Sequence, residues 1–433
     1  MKLSELKEYV SGSDFESKLS ELYVDKNMFS FQKKRYQDAI LSFEKNFGCE
    51  EDIHIFSAPG RSEVCGNHTD HQHGMCVASS INLDVVAIAR IRNDSKVNVL
   101  SEGYDLISID SSDLKFCQGD TGTTKALIRG VLKGMTEEGF KTGGFDCYLT
   151  SNVIMGAGLS SSAAFENAIG SVISHLFNEG KISPVEIAKC SKFSENVYFG
   201  KPCGLLDQTA SAVGGLISID FKDVESPIVN KINVDFSAFG YSLCIVDVKA
   251  SHADLTPDYA AIPQEMKTVA EFFGKTHLRN VNPEDFYQNI AELRKKCSDR
   301  AILRAYHFFE EEENVKNLIK KLEEKDFPGF LHFVKASGNS SNKFLQNIYS
   351  PRIPEHQSIS IALAFSQKFL ETQKGSKDSK GVCRVHGGGF AGTIQAFVKD
   401  QFVEEYKSKI DGIFGEGSCH VLKVRPAGSV KVI

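Results

Sequence analysis

The chain has 433 residues, 41% hydrophobic and 24% charged, with a formal net charge of −6. These are globular values, and the length exceeds one ordinary compact core, so two domains are expected. The acidic balance argues against a nucleic-acid partner, which calls for a basic face, but leaves room for a small or phosphate-bearing ligand on a local basic cluster.

The amino terminus, "MKLSELKEYVSGSDFESKLSEL", places a charge every few residues and has no apolar core of signal-peptide length. No later stretch approaches the roughly 20 apolar residues of a membrane span. Eleven cysteines are scattered singly, with no C-x-x-C pair. That usage suits free thiols in a reducing cytoplasm better than a disulfide frame or a cysteine zinc site. The expectation is a cytoplasmic protein with no membrane partner.

The first fifty residues are predicted helical, with Phe31, Ala39, Leu41 and Phe43 as apolar positions among charges. "IHIFSAP" alternates and "VVAIARI" is apolar and β-branched, so both are predicted strands. Between them lies "APGRSEVCGNHTDHQHG" (58–74), with His68, His71 and His73 beside Arg61, Asn67 and Asp70. Three histidines can bind zinc, but no fourth ligand is nearby and the spacing matches no common zinc motif. Asp70 and His68 suit recognition of hydroxyls, which both donate and accept; His71 and His73 are then turn or supporting residues.

"SNVIMGAGLSSSAAFENAIGSVISHLFNEG" (151–180) passes from a strand through a glycine and serine turn into a helix that Asn178 and Gly180 stop. The next helix opens with a capping box, Ser183 with Pro184 and Glu186, runs to about Tyr198 and breaks at "FGKPCG". A strand, "YSLCIVDV", restarts the pattern at Tyr241, and charged helices follow, with Glu312 and Lys316 four apart. The four glutamates at 310–313 are expected to form a solvated helix face. "ETQKGSKDSKG" (371–381) is expected to be a mobile polar loop, and "GVCRVHGGGFAGTIQAFV" and "CHVLKVRP" to be strands flanking a tight glycine turn. The domain boundary is placed near residue 238, giving domains 1–238 and 239–433.

"GAGLSSSA" (156–163) has the physics of a phosphate cradle: glycines let the backbone approach, and amides and hydroxyls at a positive helix end face an anion. It lacks the Gly-Lys-Ser/Thr ending of a Walker loop, and "GGGFAGT" (387–393) lacks the lysine too. "KPCGLLDQ" sets Asp207 behind a Pro and Gly turn, and "GGGF" offers a second glycine cradle. Taken singly, these read equally as a tight loop, a helix cap and a crowded hairpin.

Together, the four stretches resemble the motifs of the GHMP small-molecule kinases, and most closely the galactokinase branch. "APGRSEVCGNHTDHQHG" is similar to the sugar motif, "GAGLSSSAA" to the phosphate loop, "KPCGLLDQ" to the catalytic loop and "VHGGGFAG" to the third motif, in order over residues from about 50 to 400. The resemblance implies an α+β protein of two domains, the second ferredoxin-like, with the active site in the cleft between them. It implies ATP-dependent phosphorylation of a sugar, galactose first, at the anomeric hydroxyl, with Mg2+. It makes Asp207 the aspartate beside the reacting hydroxyl and Arg61 its basic partner. Gly156, Gly158, Leu159, Ser160, Ser161 and Ser162 become the ATP loop, and Ser162 and Glu195 the magnesium ligands. Asn67, His68, Asp70, Gly204 and Tyr259 become sugar contacts.

The chain departs from that pattern at three places. The family usually carries glutamate at Asn67, tyrosine at His71, and an arginine pair where "AAIPQEM" follows Tyr259. These changes leave the phosphate chemistry intact and bear on the sugar, so N-acetylgalactosamine and arabinose are the nearest alternatives. A non-catalytic sugar sensor is the rival from another class. Such sensors can lack the serine–alanine step that Ser162 and Ala163 keep here. A zinc hydrolase built on the histidine loop is the third reading.

Overall fold

Three helices lead the chain: α1 (Leu3–Ser11), α2 (Asp14–Tyr23) and α3 (Phe29–Phe47). The computed structural model describes residues 2–48, 52–154, 156, 158–234, 236–250, 255–371 and 379–433. On α3, Tyr36, Ala39, Ile40 and Phe43 are buried, whereas Phe31 and Leu41 are exposed. Leu41 stands two residues from both Ala39 and Phe43, about half a turn round the helix, so it cannot share their face.

The first sheet gathers β1 (His54–Cys65), β2 (Met75–Ile91), β3 (Lys96–Ser101), β4 (Ile107–Asp110) and, after α4 (Thr124–Glu137), β5 (Phe145–Ser151). Next come α5 (Ser161–Phe177), α6 (Pro184–Phe193), a π-helical turn at Ser194–Phe199, and α7 (Leu206–Val213). β6 (Leu216–Asp220) and β7 (Ile228–Ile232) complete this stretch. β2 is long enough to pair antiparallel with β5 through Val85–Ile91 and with β6 through Met75–Ser79. Helices α1–α3 cover one face through Ile55, Val86, Ile88 and Tyr148, and α4 and α5 cover the other through Ile128, Val131, Ala168 and Val172. The capping box forms as expected: Ser183 Oγ accepts from Glu186 N, and the Glu186 carboxylate accepts from Ser183 N.

β8 (Tyr241–Asp247) starts a second sheet. A helical excursion follows: α8 (Thr256–Phe272), α9 (Pro283–Gln288), α10 (Ile290–Lys296), α11 (Asp299–Glu323), α12 (Phe327–Ser340) and α13 (Ser358–Leu370). The chain then forms β9 (Gly381–His386), β10 (Thr393–Lys399), α14 (Val403–Phe414) and β11 (Cys419–Leu422). The strands lie in the order β11-β8-β10-β9, all antiparallel. With α13 and α14 packed on one face through Ile359, Leu363, Val403 and Tyr406, this is the β-α-β-β-α-β arrangement of a ferredoxin-like unit. Its other face, through Leu243, Ile245 and Phe397, joins the core that also holds Ala58, Leu159 and Val334. Most of the loop expected to be mobile, residues 372–378, lies outside the described residues.

The chain ends back on the first sheet, where β12 (Val430–Lys431) pairs with β1. Arg425, just before it, is fully buried and donates from Nη1 to Asp84 at 3.0 Å; Arg35 reaches the same carboxylate at 2.5 Å and Tyr23 Oη at 2.7 Å. A fully buried charge survives only when paired and bonded. Asp84 is held by two cations and two hydroxyls, Tyr23 and Ser57.

Two features of this frame aim the chemistry. β1 has register irregularities at Pro59/Arg61 and Glu63/Cys65, and such bulges re-aim side chains. At the first, Gly60 lets the glycine turn approach: a Cβ there would sit 2.8 Å from the Leu159 carbonyl oxygen.

Candidate active site

Arg61 on β1 and Asp207 in the first turn of α7 form a two-pronged ion pair. Arg61 Nε donates to Asp207 Oδ1 at 2.6 Å and Nη2 to Oδ2 at 2.7 Å. Such bidentate pairs fix geometry as well as charge. The glycine turn joins at the same point: Ser160 Oγ donates to Asp207 Oδ2, Arg61 Nη1 to the Gly158 carbonyl, and Arg61 N to the Leu159 carbonyl at 3.1 Å. Desolvation pushes the Asp207 carboxyl up, but the Arg61 charge and the bonds from Arg61 and Ser160 outweigh it, so it lies below the ordinary carboxylate value.

The glycine turn runs from the end of β5 to the start of α5. Gly156 and Gly158 take positive φ, 78° and 65°, and so does Ser160 at 54°, a conformation that costs a side-chain-bearing residue and therefore marks a shaped loop. Ser161 begins α5, whose N-terminal amides form a positive end suited to phosphate. One residue on, Ser162 Oγ donates to Glu195 Oε1 at 3.1 Å, which the π-helical turn presents. Glu195 is otherwise held by Lys201 Nζ at 2.8 Å and Gln208 Nε2 at 2.8 Å.

A hydroxyl and a carboxylate are hard oxygen donors, the set that suits Mg2+, which binds few protein groups and keeps water and substrate phosphates. Beside them sits Glu166, one turn along α5 from Ser162. It is fully buried, with the Gln208 side chain beside its carboxylate. Burial and then the Glu195 charge push it well above the ordinary carboxylate range. Glu195 already holds one cation, the Lys201 ammonium group, on the oxygen that faces Ser162, a position that fits a divalent cation.

The histidine loop faces this centre from the other side. Three consecutive carbonyls of "GGGF" hold it and α8: Asn67 Nδ2 donates to Gly387 O at 2.7 Å, His68 Nε2 to Gly388 O at 3.0 Å and Tyr259 Oη to Gly389 O at 3.0 Å. A carbonyl can only accept, so the His68 proton sits on Nε2 and Nδ1 is left as an acceptor. Burial, then neighbouring His71, hold the His68 pKa below its usual range. Asp70 Oδ1 accepts from His71 N at 2.9 Å, and its carboxylate lies against Gly204, where a Cβ would collide with it. The imidazoles stack in pairs rather than converging: His68 on His71 with centroids 5.8 Å apart, and His73 on His277 at 3.7 Å.

Asn67 stands apart from its neighbours. It is fully buried, Nδ2 also donates to Glu63 at 2.9 Å, and Oδ1 accepts from Asn347 at 2.8 Å and Ser341 at 3.3 Å. Protein partners occupy both ends of the amide, so it presents no side-chain group to a ligand.

The glutamate run on α11 differs from expectation. Glu311 and Glu312 are buried, not solvated. Glu311 Oε2 accepts from Gly66 N at 3.0 Å, Asn67 N at 3.3 Å and Ser337 Oγ at 2.6 Å, while Glu312 Oε1 accepts from Met75 N at 2.6 Å. Two adjacent carboxylates thus hold both ends of the histidine loop. Lys316 pairs with Glu313 at 2.7 Å rather than with Glu312, which meets Arg279 instead. His307, one turn before Glu311, adds Nε2 to the Asn67 carbonyl at 2.9 Å. The signal is in the spacing: His307, Phe308, Glu311, Glu312, Val315 and Leu318 mark one helical stripe, and its apolar members are buried.

Residues 126–215 match the profile described as "GHMP kinases N terminal domain", and residues 41–91 match "Galactokinase galactose-binding signature". The chain is 30% identical to a galactokinase of Actinobacillus pleuropneumoniae serotype 3 (strain JL03) over 377 residues, 86% of this chain and 92% of that one. It is 31% identical to a galactokinase of Glaesserella parasuis serovar 5 (strain SH0165) over 376 residues, 85% of this chain and 91% of that one. Among solved structures, Lactococcus lactis galactokinase complexed with galactose superposes with a TM-score of 0.77 at 22% identity, covering 90% of this chain and 98% of that one. Methanococcus jannaschii mevalonate kinase superposes at 0.56 with 14% identity, covering 87% and 99%.

Proposed function

The chain belongs to the galactokinase family of GHMP kinases, and from that premise we propose that it transfers the γ-phosphoryl group of ATP to the anomeric hydroxyl of galactose. The hydroxyl oxygen attacks the γ-phosphorus, the bond to the ADP oxygen breaks, and the hydroxyl proton passes to Asp207. The products are α-D-galactose 1-phosphate and ADP. Such transfers depend mostly on positioning and charge neutralisation. Asp207, kept ionised and oriented by Arg61 and Ser160, accepts the proton, a role that typically contributes about 10²–10⁴-fold.

The glycine turn, Ser160, Ser161 and the start of α5 take the phosphates. Ser162 and Glu195 would hold Mg2+, which when bound offsets phosphate charge during transfer. We assign the sugar to His68, Asp70, Gly204 and Tyr259, with Asp70 reading ring hydroxyls. Asn67 moves from sugar contact to support of the loop, so its departure from the family pattern does not alter what the sugar meets. The described cysteines, all free thiols, support a cytoplasmic location; among the described residues no helix is long and apolar enough to cross a membrane.

The observation that carries this reading is the junction of Arg61, Asp207 and Ser160, which brings three separate motifs to one carboxylate. The test is turnover on a panel of sugars with ATP and magnesium. Galactose should be phosphorylated at its anomeric position and glucose left alone. Equal use of glucose, or preference for N-acetylgalactosamine or arabinose, overturns the assignment of the sugar; no turnover on any sugar overturns the kinase. Glu195→Ala should raise the magnesium needed for half-maximal rate, and an unchanged magnesium titration removes Glu195 from the metal.

A further inference from the structure

Lys201 lies between Glu195 and Asp207, and nothing in the reaction above uses it. It follows Gly200, whose φ of 84° turns the chain out of the π-helical segment, and its backbone N donates to the Glu195 carbonyl at 3.0 Å. Its Nζ lies 2.8 Å from Glu195 Oε1, the same oxygen that takes the Ser162 hydroxyl at 3.1 Å. The ammonium group therefore sits at the start of α5, beside the phosphate-binding turn. Its charge also acts on Asp207 and on Tyr259. Glu195 is 3% exposed and fixed, whereas the Lys201 side chain is 61% exposed, a long stem with room to move.

The geometry points to Lys201 as a further catalytic residue: when a metal ion engages Glu195, its ammonium group turns to the oxygens of the transferring γ-phosphoryl group. This rests on the kinase reading. A metal held by Ser162 and Glu195 would take the carboxylate oxygen that the lysine now bonds, and would leave the ammonium group free to reach phosphate oxygens. The γ-phosphoryl group must lie between Asp207 and the start of α5, the interval that Lys201 faces. Lys201 neither gives nor takes a proton; it offsets charge on the equatorial oxygens of the moving phosphoryl group.

The experiment compares Lys201→Met and Lys201→Arg with the parent protein. Lys201→Met should lower kcat about 10²–10³-fold, the range for loss of one charge-stabilising donor, while KM for galactose moves less than about twofold. Lys201→Arg should recover most of the rate. Calorimetry supplies a readout independent of turnover: in Lys201→Met, the non-hydrolysable analogue AMP-PNP with magnesium should bind about tenfold more weakly, and ADP with magnesium unchanged. An unchanged kcat with a lower magnesium requirement overturns the proposal, leaving Lys201 as a counter-ion that only neutralises Glu195. Equal weakening of ADP and AMP-PNP also overturns it, as does loss of rate that arginine fails to restore. If the protein phosphorylates no sugar, the kinase reading fails, and the two binding measurements still decide where Lys201 acts.

Discussion

The junction around Asp207 and the packing behind the histidine loop are both polar, but they are built differently. At the junction, Arg61, Ser160 and Asp207 come from a strand, a turn and a short helix, with the carboxylate partly exposed. Behind the loop, Asn67, His307, Glu311 and Ser337 are buried and spend their hydrogen bonds on other protein side chains and on backbone. An open group is available for chemistry, and its loss removes a step. A buried network fixes a shape, and its loss leaves donors unsatisfied and moves whatever it was holding.

Variants should separate the two regions by what they change. Asp207→Asn should give the largest effect, a fall in kcat of about 10²–10⁴-fold, with Tm and calorimetric galactose binding close to the parent; near-parental turnover would remove Asp207 from proton transfer. Glu311→Ala should act in the opposite way. Each buried donor left without its acceptor costs about 1–3 kcal/mol, so Tm should fall and KM for galactose rise, while kcat at saturating sugar is largely kept. A loss confined to kcat would place Glu311 with the chemistry instead.

Asp70→Ala and Asn67→Ala sharpen the contrast within one loop. The first should reduce kcat/KM for galactose by the equivalent of about 1–3 kcal/mol with little change in Tm; the second should show itself first as a lower Tm. Reversal of that order would return Asn67 to the sugar. A subtler effect concerns pH. Desolvation alone would raise the Asp207 pKa, and Arg61 reverses the sign, so Arg61→Gln should shift the acid limb of the kcat/KM profile to higher pH. A limb that stays put would mean another group sets it. The smallest effect belongs to Lys316→Ala, which removes an exposed pair with Glu313; such pairs contribute little, and Tm should not move measurably.

The same division decides what the amino-acid sequence makes legible. Arg61, Ser160, Ser162 and Asp207 lie in short stretches punctuated by glycine, where backbone demands leave a recognisable pattern. The strands at IHIFSAP and YSLCIVDV are equally legible, because period-two patterning and β-branching do not depend on distant partners. Glu311 and Glu312 are the opposite case, since a run of four acids looks like a solvated face. Their stripe with Phe308 and Val315 is in the spacing, but the partners that make it a support, Gly66 and Met75, lie far off along the chain. Asn67 hides its supporting role for the same reason, since its partners at Ser341, Asn347 and Gly387 lie at least 274 residues away. Lys201 stands in plain view, but a single lysine in a polar loop carries no signal until Glu195 is beside it.

The return of the chain to its first sheet sets an order of events during synthesis. Asp84 receives Arg35 from a helix made before it, but Arg425 comes 341 residues later. Until then the buried carboxylate has one of its two cations, and β1 has an open edge where β12 will pair. An edge of that kind can accept the wrong strand, and pairing across so long an interval is slow to form. On the ribosome, therefore, the part of the enzyme that carries Arg61 and Asp207 is made well before the strand that seals it.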